Sequence, residues 1–106
     1  MPRAWQRAGG GAWVQLMAHA SEATLQRLLP LLRQLRGVTG LREIKPGTFH
    51  FRGAAFVHFH EQDGAILADL KKSGGTGFDR YPVDSPVGQR KLFDDAKRRV
   101  LRADDE

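Results

Sequence analysis

The chain contains no cysteine. That absence excludes disulfide frameworks, thiol nucleophiles and thiolate-ligated zinc together, and it fits a reducing cytoplasm. Long apolar runs are also missing. None approaches the roughly 20 residues that a membrane-spanning helix needs. Arg3 and Arg7 are not followed by the continuous apolar stretch of a signal peptide. The expectation is a cytoplasmic domain with no membrane contact. Two catalytic signatures are absent as well. Ser21, Ser73 and Ser85 sit in no Gly-x-Ser-x-Gly elbow. The glycine-rich Ser73–Gly77 segment lacks the Gly-Lys-Ser/Thr ending of a phosphate loop. Catalysis is therefore not the favoured reading, although Lys71 and Lys72 beside that segment offer weak anion binding.

What is present is an ordinary globular balance, 41% hydrophobic and 27% charged, over 106 residues. This is room for one domain with one core. The net charge of +5 is unevenly spread. Residues 1–40 hold five basic residues against one acid, whereas residues 41–84 hold six of each. A nucleic-acid domain concentrates its positive charge on one folded face. Here the surplus lies in the N-terminal segment and first helix, which weakens nucleic-acid binding as a reading. Arg80 and the single tyrosine, Tyr81, could add base stacking.

Residues 1–18, with the run Gly9-Gly10-Gly11, are expected to form a flexible extension, and residues 19–106 one α+β domain. Ser21 is a good N-cap for a first helix in which Leu25, Leu28, Leu29, Leu32 and Leu35 make an apolar arc. Pro30 should kink that helix on its solvent side, and Gly37 should stop it. Ser85 and Pro86 open a second helix with Gln89, Leu92, Phe93, Ala96 and Val100 inward. Asp94–Arg98 and Asp95–Arg99 are spaced as surface pairs on it.

Between the helices the period is two. Leu41–Lys45 is a short candidate strand ended by Pro46-Gly47, and Thr48–Arg52, Ala55–Glu61 and Ile66–Lys71 each alternate apolar and polar residues. Phe78–Val83 reads as an edge strand because Pro82 cannot complete a central ladder. Asp63-Gly64 suits a two-residue type I′ turn, in which both residues need φ > 0. The register then follows: Gln62 faces Ala65, His60 faces Leu67, His58 faces Asp69, and Val57 faces Leu70. At Gly53 a three-residue connection, Arg52-Gly53-Ala54, keeps Phe49 opposite Val57 on the apolar side. The expected architecture is α-β-β-β-β-α, an antiparallel sheet of about four strands with both helices on one face.

That register gathers chemistry on the opposite face. His58 and His60 lie about 7 Å apart at Cα. Asp69 stands across from His58 with Cβ atoms about 5 Å apart. His50 and Arg52 project to the same side from the preceding strand, Lys71 from the following one, and Phe56 and Leu67 supply an apolar floor. Polar residues on the uncovered face of a sheet are ordinarily just solvated. The apolar floor instead favours a non-catalytic module that binds a ligand or protein partner through His50, Arg52, Phe56, His58, His60, Asp69 and Lys71. One alternative is a divalent metal held by His58, His60 and Asp69, since a His-x-His pair plus a carboxylate is a ligand set. Another is nucleic-acid binding through the basic N-terminal region. A homodimer through the exposed sheet face is a further arrangement this surface allows.

The run Phe56-Val57-His58-Phe59-His60-Glu61, followed by Asp63-Gly64 and Ala68-Asp69-Leu70, resembles a pattern in a family of small bacterial proteins of unknown function. The resemblance spans about Leu25 to Val100 and implies no activity.

Overall fold

The computed structural model describes residues 5–7, 13–15 and 18–104, with side chains from residue 19 to 103. The expected extension over residues 1–18 therefore lies largely outside the described residues. Within it, β1 (Trp5–Arg7) and β2 (Trp13–Gln15) pair antiparallel, Gln6 opposite Val14. β3 (Ala18–His19) joins the main sheet.

Ser21 is extended (φ −68, ψ 164), and its hydroxyl accepts the Thr24 N–H at 3.2 Å, so the first helix starts where the cap predicts. It does not continue as one rod. α1 (Glu22–Arg27) ends at Leu28, which departs to φ −93, ψ 5, and α2 (Leu29–Arg36) restarts with Pro30 in its first turn. Pro30 has no N–H to return to the preceding turn, and its ring crowds that turn's carbonyl, so the expected kink becomes a break. Two helices thereby become three among the described residues. The break also shifts the buried arc: Leu28, Leu31, Leu32 and Leu35 are buried, while Leu25 and Leu29 are only partly so. Gly37 closes α2 at φ −84, in the right-handed region. The left-handed glycine comes three residues later, Gly40 at φ +98.

Five strands follow in sequential antiparallel order: β4 (Leu41–Lys45), β5 (Thr48–Phe51), β6 (Ala54–Gln62), β7 (Ala65–Lys71) and β8 (Phe78–Pro82). The expected count of about four is thus exceeded, because β4 pairs with β5 along most of its length. β3 lies beside Glu61 and His60 of β6, beyond the point where β5 ends at Thr48–His58. β8, with Pro82, is an edge strand as expected.

The Asp63-Gly64 hairpin has the expected register from Val57–Leu70 to Gln62–Ala65. Both turn residues have φ > 0, +53 and +80. The preceding hairpin differs from expectation. Arg52 (φ +54) and Gly53 (φ +80) form a two-residue turn that pairs Phe51 with Ala54. A strict ladder from there would turn Phe49 and Val57 to different faces. A β-bulge intervenes: Phe49 pairs with Val57 but His50 with Ala55, leaving Phe56 as the extra residue. Phe49 and Val57 are fully buried. The core parity survives, and the bulge rather than a longer loop preserves it.

The buried face of the sheet carries Phe49, Val57, Phe59, Ala68, Leu70 and Tyr81, which form one core with Leu28, Leu31, Leu32 and Leu35 of the first two helices. α3 (Pro86–Asp104) completes the core with Leu92, Ala96 and Val100. Its start is closely seated, since a Cβ at Gly88 would collide with the Pro82 carbonyl. The expected i,i+4 pairs on α3 give way to one i,i+3 pair and to partners on β8. Arg98 bonds Asp95, while Arg99 reaches Asp79 of β8 at 2.9 Å and Asp95 accepts the Tyr81 hydroxyl at 2.7 Å.

Candidate functional site

The sheet face opposite the helices is set by strand parity, and it is not the solvated surface expected: His60 and Asp69 are buried and only His58 is half-exposed. His58 and His60 alternate with the buried Val57 and Phe59 on β6, and Asp69 alternates with Ala68 and Leu70 on β7. Because His58 pairs directly with Asp69, one carboxylate serves both imidazoles. His58 Nε2 and His60 Nε2 each stand 3.2 Å from Asp69 Oδ2. These ligand atoms all lie within 4.8 Å of one another.

Arg80 is a participant that local sequence reading did not assign to this cluster. It pairs with Asp69 across β7 and β8. Its Nε donates to Asp69 Oδ1 at 2.9 Å and its Nη2 to Oδ2 at 3.3 Å, while Nη1 reaches Gln62 Oε1 at 3.4 Å. Placing β8 beside β7 in the right register was the signal that could have found it. This register also places Arg80 and Tyr81 on opposite faces. Tyr81 is buried against α3, so the expected stacking pair for nucleotide bases does not exist.

The electrostatics follow from burial. His60 is 3% exposed, and burial lowers its imidazole below the ordinary 6.5, outweighing the pull of Asp69. The ring is therefore neutral at neutral pH, the form that can ligate a metal. Its close approach to Asp69 is out of line for a hydrogen bond, and neither Nδ1 nor Nε2 has a partner. Buried polar atoms are normally satisfied, so this ring is an exception that calls for an account. Burial would by itself raise the Asp69 carboxyl. The Arg80 guanidinium overcomes it and holds Asp69 below the usual carboxylate range.

The other expected site residues are dispersed. His50 is half-buried on β5 and contributes no ring nitrogen to the cluster among the described residues. Arg52 lies in a turn with its guanidinium 4.9 Å from the centre of the Phe51 ring. Lys71 is partly exposed at the far end of β7. Phe56 is a correction: it is buried in the hydrophobic core, tilted against Phe51 with ring centres 5.4 Å apart. The bulge removes it from the histidine face, and with it half of the expected apolar floor. Leu67 stays, half-buried, directly opposite His60. Phe78, 41% exposed, takes up the aromatic role by setting its edge against His58 at 5.5 Å.

Among the described residues, no helix is long and apolar enough to cross a membrane. No family model, curated protein or solved structure matches the chain.

Proposed function

We propose that this chain binds one divalent transition-metal ion through His58 Nε2, His60 Nε2 and Asp69 Oδ2. The observation that carries the reading is the convergence of three ligand atoms within 4.8 Å, one of them on a buried imidazole whose nitrogens lack hydrogen-bond partners. Two imidazoles and a carboxylate suit zinc, iron, cobalt or nickel better than magnesium or calcium, which prefer oxygen donors. Three protein donors leave coordination positions open, as in sites that act on a bound molecule rather than closed structural sites. Arg80, donating to both Oδ1 and Oδ2, would serve as an outer partner that orients the carboxylate toward the two rings. Calorimetric titration with zinc should give one equivalent bound, with magnesium inert. His58→Ala and His60→Ala should each abolish most of the heat. Unchanged zinc binding in both variants would defeat the proposal.

A second reading is a surface for a small ligand or partner, including a second copy of the chain. Phe78 favours it, being exposed and set against His58. If this reading holds and the first fails, Phe78→Ala will weaken ligand or self-association while zinc leaves every amide resonance in place. The basic N-terminal region that motivated nucleic-acid binding lies partly outside the described residues, and Arg80 is engaged by Asp69.

A further inference from the structure

A second candidate site lies on the other side of the sheet, at the C-terminal end of α3. It is a cavity of about 330 Å³ between the β5–β6 turn, the end of β7 with the Ser73–Gly77 loop, and the last turns of α3. Its walls include Phe51, Phe56 and Ala103, and its rim carries Arg52, Lys71, Lys72, Arg99 and Arg102. Among the described residues lining it there is no carboxylate.

We infer that this cavity binds a small organic phosphate with a planar apolar body. The tertiary structure makes the case. Residues 41–84 carry no net charge, yet the fold brings Arg52 and Lys72 beside Arg99 and Arg102 of α3, 27 to 50 residues further along the chain. Some of that charge is committed. Asp79 pairs with Arg99 at 2.9 Å and with Lys72 at 3.4 Å, and Arg99 also donates to the Lys71 carbonyl at 2.8 Å. These bonds hold the Arg99 guanidinium in place. One carboxylate shared by two cations still leaves a positive surplus, to which Arg102 adds. Arg52 covers the Phe51 ring, which fixes a weakly hydrated guanidinium over an aromatic wall. Guanidinium and ammonium groups recognise phosphate by charge-assisted hydrogen bonds. The aromatic wall distinguishes an aryl or nucleoside phosphate from the inorganic ion, because a bare anion would leave it uncovered. The volume falls in the range of small-ligand pockets. Phe56 is central here: the same bulge that takes it from the histidine face delivers it to this cavity.

The test uses the full chain with phenyl phosphate, inorganic phosphate and phenol as probes, followed by amide chemical shifts at low ionic strength. Phenyl phosphate should bind on the order of tenfold more tightly than either fragment probe, and its affinity should fall with added salt. The shifts should centre on Lys71, Ser73, Gly74 and Arg102. Lys72→Gln combined with Arg102→Gln, both at the protein surface, should weaken phenyl phosphate by on the order of tenfold and leave zinc binding and the thermal midpoint unchanged. Equal binding of phenyl phosphate and inorganic phosphate, or an unaltered affinity in the double variant, would overturn the inference. So would shifts confined to His58 and His60, which would return the ligand to the other face.

Discussion

Asp69→Asn separates the structural from the metal-binding role of the cluster. The carboxylate side chain is 10% exposed and stands within 3.3 Å of two Arg80 nitrogens and two histidine nitrogens. A hydrogen bond to a charged group contributes about 1.5–3 kcal/mol. Arg80 is 45% exposed, and water screens the pair and re-solvates the guanidinium when it is lost, so the lower end applies. Asparagine keeps the shape and one acceptor, and its amide can donate to a neutral imidazole. The expected cost is therefore about 1–2 kcal/mol. For a domain of this size that lowers the thermal midpoint by roughly 5–15 °C. Zinc at a hundred times its dissociation constant should add about 2.7 kcal/mol to the wild type, a rise on the order of 10–20 °C. In the variant that rise should largely vanish, because asparagine offers a weaker donor than a carboxylate. Differential scanning fluorimetry of both proteins, with and without zinc, measures each quantity. A variant that loses stability but keeps the whole zinc-induced rise would refute the ligand assignment. A variant as stable as the wild type would refute the role of Asp69 in holding β6, β7 and β8 together.

Other expectations follow from the same contacts. Alanine is the better helix former by about 1 kcal/mol, yet Gly88→Ala should destabilise the protein by on the order of 2 kcal/mol in urea denaturation, because the new methyl meets the Pro82 carbonyl. His60 has a folded pKa below its unfolded value, so the unfolded chain takes up protons first as the solution is acidified. Stability should accordingly fall from about pH 6.5 downward, and His60→Gln should flatten that limb when urea midpoints at about pH 7.5 and about pH 5.5 are compared. Burial and the bond to Asp95 raise Tyr81 to about 12, so in the folded protein absorbance of this sole tyrosine should reach half its phenolate signal only there. The unfolded chain releases the phenolic proton near pH 10, and stability should decline from there upward.

The residues differ in how readily local sequence discloses their roles. The Asp63-Gly64 turn is four residues of local chemistry, and it sets the pairing that puts His58, His60 and Asp69 on one side of the hairpin. Ser21 and Pro86 mark helix starts for the same reason, since capping satisfies or dispenses with backbone donors only one turn away. Arg80 is different. Its bond to Asp69 depends on β8 returning across a glycine-rich loop into one particular register, and no local pattern specifies that.

Phe56 shows where local pattern stops. Alternation alone assigns it to the polar face beside its neighbours, and a two-residue turn at Arg52-Gly53 would reverse Phe49 relative to Val57. The two demands conflict, and burying both Phe49 and Val57 settles the conflict by placing one residue outside the ladder. Composition, turn chemistry and two-residue periodicity thus determined an antiparallel α+β domain with histidines facing away from its helices. Only tertiary packing decided that Phe56 turns inward, that Pro30 divides a helix, and that Arg80 closes on Asp69. Each of these depends on side chains meeting across the fold, where the free energy of burial or pairing exceeds what any short segment prefers alone.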